Sequence, residues 1–256
     1  MDRFVRFEIV DRIAAITLDS QHNRNALSRQ LLAELDESLD HAEGADVRAI
    51  VLRHEGPVFC SGADLKERSD GSGPLDSRPF VRVLERLMDT ARPTIAAVAG
   101  VAKAGGLGLM AACDLVVIAS ASTLTFSEVR IGVAPAIISV PILRRVPPAK
   151  IAAAMLTGEQ FTAAQALEIG LVTHVSNDVP GMVRSLCDGI CAGAPQAVAE
   201  TKRLLHRVPT LQRDQAFDEM RALSDELFQG PDAIEGMAAF RERRTPVWPG
   251  PQTSSR

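Results

Sequence analysis

The residues best suited to chemistry lie in one stretch, residues 100–135, which reads GVAKAGGLGLMAACDLVVIASASTLTFSEVRIGVAP. A glycine pair, Gly105 and Gly106, opens a short apolar helix predicted for residues 107–112. The first N–H groups of a helix are unpaired and carry partial positive charge, so they suit an oxygen that becomes negative. Glycine at this point lets a ligand approach the backbone closely.

A lone carboxylate, Glu128, follows on an apolar segment of the same stretch. Burial raises the pKa of such a carboxyl group, which is useful for moving protons near neutral pH. Together with the glycine pair, it indicates an oxyanion site with one acid/base group. A plainer interpretation stays open, because glycines after a strand also form ordinary turns and an isolated glutamate is usually solvated.

A dinucleotide site is a further interpretation of the same residues. Residues 106–111 fit the pattern G-x-G-x-x-A, and Glu128 lies about the ~20 residues further on that this fingerprint requires. However, the next strand is predicted at Leu115–Ala119, whereas a βαβ crossover needs at least ~10–12 residues. The context argues against a nicotinamide or flavin site, and we expect no separate cofactor.

Composition narrows the function classes. The chain has 256 residues, a net charge of −4 and 4% aromatic residues, which is enough length for a real core but offers little stacking for bases. No dominant basic run is present, which disfavours nucleic acid and membrane surfaces as partners. There is no apolar run of 18 residues and no signal-peptide pattern, so we expect a soluble, cytoplasmic protein.

Four cysteines, Cys60, Cys113, Cys187 and Cys191, are too few for a disulfide framework in a chain of this length. Cys187 and Cys191 have i,i+4 spacing and could supply half of a metal site. No second pair or histidine cluster accompanies them, so we predict packed, reduced thiols and no metal site.

Strands and helices alternate without a clean βαβ rhythm, which predicts an α/β layout of irregular winding. The apolar content of the last helices suits a subunit interface, although packing on their own domain fits the pattern equally well. A loop rich in Gly, Ser, Pro and Asp at residues 69–77 is predicted to be mobile, and the tail at 249–256 to fray. The predicted strands lie at residues 4–10, 13–18, 49–52, 93–98, 115–119 and 171–175. Two helices are predicted to begin after the N-cap residues Ser28 and Thr162. The other predicted helices lie at residues 80–88, 107–112, 150–156, 196–208, 213–228 and 237–243.

At residues 59–67, FCSGADLKE, and again at 100–135, the chain resembles the enoyl-CoA hydratase/isomerase (crotonase) family. Several separated matches in one order are more specific than a single motif. The other matches are NAL at 25–27, LTGE at 156–159, GLV at 170–172 and EGMAAFRERR at 235–244.

The resemblance implies an α/β fold with a crotonase-like spiral of ββα units in residues 1–190 and a C-terminal helical trimerisation region in residues 191–256. It also implies a homotrimer or homohexamer. The substrate would be an acyl-CoA thioester, so that coenzyme A arrives as part of the substrate.

The resemblance implies a specific site as well. The backbone N–H groups of Ala63 and Gly105 would bind the thioester oxygen as it gains enolate charge, and Glu128 would carry the proton. Asp64 fits a structural role better, since its side chain can fix the turn through backbone N–H groups. The substrate-binding positions implied in addition are Asp64, Leu65, Gly106 and Gly108.

Three arginines lie where family members have basic residues near coenzyme A. Arg24 matches a position near the CoA phosphates, and Arg243 and Arg244 match C-terminal basic residues that sometimes come from a neighbouring subunit. Surface arginines also serve solubility alone, so a purely solubilising role stays open for these three.

The chain departs from the family at one catalytic position. Typical hydratases carry two glutamates around the substrate water, and the first follows the oxyanion glycine by three residues, where this chain has Gly108. Hydration needs both activation of water and a proton for the α-carbon. Glu128 must therefore do both in turn, or another group must hold the water.

Three functions remain compatible with a single carboxylate. Local likeness to some single-glutamate hydratases, in GLGL and in SEVRIGVAPAIIS, favours an enoyl-CoA hydratase-like lyase. A Δ3-Δ2-enoyl-CoA isomerase would use the same residues. A non-catalytic acyl-CoA binding protein is the third alternative, suggested by the missing carboxylate.

Overall fold

The computed structural model describes residues 3–69 and 76–248, so most of the predicted loop at 69–77 and the tail at 249–256 lie outside the described residues. The strands are β1 Val5–Val10, β2 Ile13–Leu18, β3 Ala49–His54, β4 Val58–Cys60, β5 Thr94–Val98, β6 Val101–Lys103, β7 Leu115–Ala119, β8 Thr123–Thr125, β9 Gln160–Thr162 and β10 His174–Ser176. The α-helices are α1 Arg29–Gly44, α2 Leu65–Ser69, α3 Arg78–Asp89, α4 Gly105–Ala112, α5 Ala136–Leu143, α6 Pro148–Thr157, α7 Ala163–Glu168, α8 Val179–Ala192, α9 Pro195–Arg207, α10 Arg213–Gln229 and α11 Pro231–Glu242. Short 3₁₀ helices lie at Gln21–Asn23, Glu128–Ile131 and Val208–Thr210.

The strands form two sheets, and successive strand pairs add one strand to each. The larger sheet has the order β1-β2-β3-β5-β7-β10 and the smaller one β4-β6-β8-β9. Three successive strand pairs, β3–β4, β5–β6 and β7–β8, each place their first strand in the larger sheet and their second in the smaller. Neighbours within these series are parallel in both sheets. Each unit therefore advances one position in both sheets, which confirms the α/β spiral that the resemblance implied.

The larger sheet is buried on both faces because its central strands are almost entirely apolar. Along β5, Ile95 and Ala97 pack with residues of α8, including Val179 and Val183. The intervening residues of β5 belong to the main core on the other face. The edge strand β1 pairs antiparallel with β2, and most of its residues are exposed or half-buried.

Local signals place several elements as predicted. The side chain of Ser28 caps α1 by accepting a hydrogen bond from the N–H of Leu31 at 3.2 Å, and Leu35 and Leu39 are fully buried below it. Thr162 and Gln165 form the predicted capping box at the start of α7.

The prediction of a last strand at 171–175 was wrong at its start. The strand β10 begins only at His174, and the N–H groups of Leu171 and Val172 donate to the carbonyl of Ala166 at 2.9 and 3.3 Å. These bonds end α7 rather than join the sheet. The last helix, α11, begins at Pro231 and not at residue 237, because proline suits the first helical position.

A buried ion pair fastens α9 to the core. The Nζ atom of Lys202 lies 2.9 Å from Oδ2 of Asp114 and donates to the carbonyls of Leu87 and Arg92, both at 3.1 Å. The same Oδ2 accepts from the N–H of Thr94 at 2.7 Å. Both charged groups are therefore compensated, and α9 is tied to the residue that links α4 and β7.

The last three helices, α9 to α11, leave large apolar side chains exposed. These are Leu205, Phe217, Phe228, Ile234, Met237 and Phe240.

The predicted boundary at residue 190 falls in the last turn of α8, whose apolar face packs on the larger sheet. None of the helices within residues 3–69 and 76–248 is both long and apolar enough to cross a membrane.

Candidate active site

Three of the predicted site residues follow the ends of adjacent strands. Ala63 lies shortly after β4, Gly105 after β6 and Glu128 after β8. These strands are parallel neighbours in the smaller sheet. Because parallel strands bring their carboxyl ends to the same edge, the spiral brings the three positions to one edge of the sheet.

The segment after β4 turns sharply at Gly62, which has φ of +93°. The carbonyl of Gly62 accepts from the N–H of Leu27 at 2.8 Å, and Ala63 forms an isolated parallel bridge with Leu27. Among residues 3–69 and 76–248, the N–H of Ala63 finds no acceptor. This group is therefore available to a ligand.

The segment after β6 presents a second such group. Ala104 has φ of 47°, which is rare for a residue with a side chain, and its N–H donates to the carbonyl of Thr125 at 3.0 Å. Gly105 then begins α4, so its N–H has no partner within the helix and none elsewhere in the described parts of the chain. The unfavourable backbone conformation of Ala104 costs on the order of 1–3 kcal/mol. It sets the direction in which α4 begins.

The two segments touch each other. A Cβ atom at Gly62 would lie 2.7 Å from Cβ of Ala104 and 3.3 Å from the nitrogen of Gly105. A Cβ atom at Gly105 would lie 2.5 Å from Cδ1 of Leu27. The glycines at both positions therefore allow these segments to pack closely.

Gly106 serves the packing of α4. A Cβ atom there would lie 2.6 Å from the carbonyl oxygen of Cys60 at the end of β4. Burial raises the pKa of the Cys60 thiol to about 12, so this side chain is a packed thiol at neutral pH.

Glu128 is half-buried in the 3₁₀ helix that follows β8. Its Oε2 atom is buried and has no hydrogen-bond partner in the described part of the protein. Burial raises the pKa of Glu128 above its usual value, which confirms the direction predicted for a carboxyl group on an apolar segment. Buried polar atoms without partners are rare, and they often mark functional groups.

Gly108 has no room for a side chain. A Cβ atom there would lie 2.4 Å from Cγ2 and 2.9 Å from Cβ of Ile138, and 3.5 Å from Cζ of Phe80. The volume that the first glutamate of typical hydratases needs is thus filled by a residue of α5. Sequence reasoning missed Ile138, because α5 is apolar all round and contains Pro141, and neither property suggests a helix.

Asp64 fixes the turn that precedes α2, as predicted. Its Oδ1 accepts from the N–H groups of Lys66 and Glu67 at 3.0 and 3.3 Å, and its Oδ2 accepts from Nδ2 of Asn23 at 3.0 Å. Leu65 begins α2 with an exposed side chain.

Asn25 holds the neighbouring loop, and sequence reasoning gave it no role in the site. Its side chain is buried, donates to the carbonyls of Glu55 and Val58 at 3.2 and 2.8 Å, and accepts from the N–H of Ser20 at 2.7 Å. Its own φ of 53° suits asparagine better than most residues. The loop it anchors carries Leu27, whose side chain lies against Gly105.

We expect Asn25→Ala to lower the free energy of unfolding by about 2–4 kcal/mol, because it leaves buried backbone groups without partners. Urea denaturation measures the change. Asn177 is exposed and accepts a hydrogen bond from Ser120, so Asn177→Ala serves as the control and should cost less than about 1 kcal/mol. Equal losses in the two variants would contradict a central role for Asn25.

The three arginines predicted to lie near coenzyme A occupy two parts of the chain, one beside the Ala63 segment and two after α11. Arg24 is exposed, forms no ion pair with the described residues, and its carbonyl accepts from the N–H of Ser61 beside the Ala63 segment. Arg243 and Arg244 follow α11, where Arg244 pairs with Glu235 at 2.6 Å and lowers the pKa of Glu235 to about 2. Contact of Arg243 and Arg244 with coenzyme A stays a prediction.

The four cysteines are free, and burial raises the pKa of the Cys113 and Cys187 thiols to about 12 and about 11. Within residues 3–69 and 76–248 there is no group of three or more His, Cys, Asp or Glu side chains that could hold a metal ion.

Comparison with known proteins shows which family the chain matches. The sequence model of the family described as enoyl-CoA hydratase/isomerase matches residues 8–251. The enoyl-CoA hydratase domain-containing protein 3 of Danio rerio is 34% identical over 243 residues, covering 92% of this chain and 84% of that protein. An enoyl-CoA hydratase of Mycobacterium tuberculosis is 30% identical over 241 residues, covering 90% and 91%.

Solved structures show the same likeness. An enoyl-CoA hydratase from Shewanella pealeana superposes with a TM-score of 0.90 at 26% identity, covering 96% of both chains. An enoyl-CoA hydratase from Mycobacterium avium has a TM-score of 0.73 at 36% identity, covering 96% of this chain and 99% of that one. With a family match over nearly its whole length and the spiral fold in place, the chain belongs to the enoyl-CoA hydratase/isomerase family.

Proposed function

We propose that this protein is an enoyl-CoA hydratase-like lyase that adds water to the double bond of a 2-enoyl-CoA thioester. One observation carries the proposal. Within the described residues, the buried Oε2 atom of Glu128 and the N–H groups of Ala63 and Gly105 all lack hydrogen-bond partners, and their residues follow strand ends at the same edge of the smaller sheet. Coenzyme A is part of the substrate, and the proposal includes no other cofactor.

The N–H groups of Ala63 and Gly105 bind the thioester oxygen. When a nucleophile attacks C3, negative charge moves to this oxygen and forms an enolate. The N-terminal end of α4 adds its dipole to the stabilisation. Donors of this kind are fixed before the reaction begins, so they cost no reorganisation when the charge develops.

Glu128 moves the proton. As a carboxylate, it accepts a proton from water while the water oxygen bonds to C3, and as a carboxylic acid it returns a proton to C2. One water molecule is consumed and no electron acceptor is needed. The raised pKa makes Glu128 a stronger base than a solvated glutamate, which suits both half-steps.

Isomerisation is the second candidate, and the packing at Gly108 is the observation in its favour. Ile138 presents an apolar surface where a second carboxylate would hold water. Glu128 would then remove a proton from C2 of a 3-enoyl-CoA and return it to C4. Both reactions share the enolate and its two donors.

The test is incubation of the purified protein with a short 2-enoyl-CoA and, separately, with a 3-enoyl-CoA, followed by mass and chromatographic analysis of the thioesters. A gain of one water from the 2-enoyl-CoA supports the hydratase. A shifted double bond without added water supports the isomerase. Binding without turnover of either compound would indicate a non-catalytic acyl-CoA binding protein and reject both.

We further infer that Arg24 contacts the phosphates of coenzyme A, and that Arg243 and Arg244 approach it across a subunit interface. The exposed apolar side chains of α9 to α11 support assembly into a homotrimer or homohexamer. Light scattering after size-exclusion chromatography measures the assembly, and a monomer at micromolar concentration would reject it.

We expect Gly62→Ala to lower kcat/KM by about 10²–10³, because a Cβ atom there pushes against Ala104 and separates the two oxyanion segments. Gly170→Ala is a matched control. Gly170 also has a positive φ, of +82°, but its nearest neighbour would be 4.0 Å from the new Cβ atom. Both variants should lose stability to backbone strain, but only Gly62→Ala should lose activity. Equal kcat/KM values would contradict the oxyanion assignment.

A further inference from the structure

Helices α4 and α5 pack closely against each other at Gly108 and Ile138. The Cβ atom of Ile138 itself would lie 2.9 Å from a Cβ atom at Gly108, and Cβ contacts under 3.0 Å are essentially never seen. Rotation of the isoleucine side chain moves Cγ2 but not Cβ. A side chain at position 108 therefore requires one helix to move away from the other.

Neither helix can move easily. Every residue of α4 is buried, and Ile138 and Ile142 of α5 pack into the main core. Protein interiors are close-packed and have little free volume, so a shift of α5 would displace many neighbouring side chains. Glycine is also unfavourable within a helix, so its presence at position 108 fits the demand for close contact.

Phe80 of α3 completes this surface. Its Cζ atom would lie 3.5 Å from Cβ atoms placed at either Gly105 or Gly108. Phe80 therefore spans the oxyanion glycine and the position of the absent carboxylate. A ligand whose oxygen binds the N–H of Gly105 meets an apolar wall of Phe80 and Ile138 at this place.

We propose that Ile138 is a specificity-determining residue that restricts the site to one carboxylate. By filling the space over Gly108, it excludes a second acid/base group and the water that such a group would hold. This inference rests on the proposed function and adds a residue to it. It implies that a glutamate at position 108 is useful only after position 138 has been opened.

The test compares Gly108→Glu, Ile138→Ala and the double variant with wild type. Without substrate, we expect Gly108→Glu alone to lower Tm by roughly 5–10 °C through overpacking. The Tm of the double variant should exceed that of Gly108→Glu by at least half of the Tm difference between Gly108→Glu and Ile138→Ala. With a 2-enoyl-CoA, the double variant should form the hydrated product at least ~10-fold faster than Ile138→Ala.

Ile142→Ala combined with Gly108→Glu is the control, because Ile142 is buried in the same helix but is not among the atoms nearest to Gly108. This pair should rescue neither Tm nor hydration. Strictly additive Tm changes for positions 108 and 138, or rescue by Ile142→Ala to the same degree, would overturn the proposal. So would a recovered Tm without any change in the ratio of hydrated to isomerised product.

Failure of the proposed function gives a different result. If wild type turns over neither enoyl-CoA, the hydratase and isomerase assignments fall, whatever the Tm values are. The coupling in Tm is measured without substrate and reports on the packing alone.

Discussion

Replacement of Glu128 by Gln is expected to lower kcat/KM for the preferred enoyl-CoA by about 10²–10⁴, because no other carboxylate matches the family's two acid/base positions. Gln keeps the shape and the carbonyl oxygen of the side chain but cannot accept and return the proton. Single-turnover kinetics with saturating protein separate this chemical step from binding, which we expect to change little.

Glu159→Gln is the matched control for charge, since Glu159 is exposed and is not one of the predicted site residues. It should retain wild-type kcat/KM. A Glu128→Gln variant with activity within tenfold of wild type would mean that a group other than Glu128 moves the proton.

The same substitution should stabilise the protein at neutral pH. Burial raises the pKa of Glu128, so the folded protein holds this proton more tightly than the unfolded chain does. The carboxyl group is therefore least costly below its unfolded pKa of about 4.3, and its contribution to stability falls as pH rises toward the raised folded pKa. Glu128→Gln removes this penalty.

Thermal unfolding from pH 3.5 to pH 7 tests the sign. The Tm of Glu128→Gln should lie close to that of wild type at the acid end and exceed it at pH 7. A wild type that is more stable than the variant at pH 7 would show that the ionised Oε2 has a stabilising partner.

The second large effect concerns the buried pair of Lys202 and Asp114. Lys202→Met leaves the Asp114 carboxylate buried without the Lys202 cation and should lower the free energy of unfolding by about 3–5 kcal/mol. For a protein of this size, the Tm should fall by about 10 °C. Denaturant titration and calorimetry measure both quantities.

Adding Asp114→Asn should recover part of this loss, because the amide oxygen can still accept from the N–H of Thr94 without carrying a charge. Lys150→Met is the control for loss of a lysine, as Lys150 is exposed at the start of α6 and should tolerate the change. A double variant as unstable as the sum of the single ones would contradict direct coupling of the pair.

The parts of the site that could be predicted are those encoded locally. Gly105 and Glu128 stand out through residue type and neighbours, and Ser28 and Thr162 announce their helices through capping patterns. The strands β4, β6 and β8 have three residues each, too few for a periodic pattern, so the smaller sheet could not be found without the family resemblance.

The parts that could not be predicted depend on distant pairs. Ile138 matters only because its helix crosses Gly108, and Lys202 only because it reaches Asp114 across 88 residues of chain. Ala104 has a positive φ and lies against Gly62, and alanine itself indicates neither property. Such relations arise from tertiary packing and leave no pattern in sequence spacing.

The placement of Ala63, Gly105 and Glu128 on three successive strand ends has a consequence for how such proteins diversify. Each group follows its own strand of the smaller sheet, and the segments that carry Ala63 and Gly105 are in contact. The two N–H groups belong to the backbone, so a substitution that leaves the packing of these segments intact keeps both of them. New reactions can therefore evolve by exchanging side chains around these groups, with paired changes where two residues pack together, as at Gly108 and Ile138.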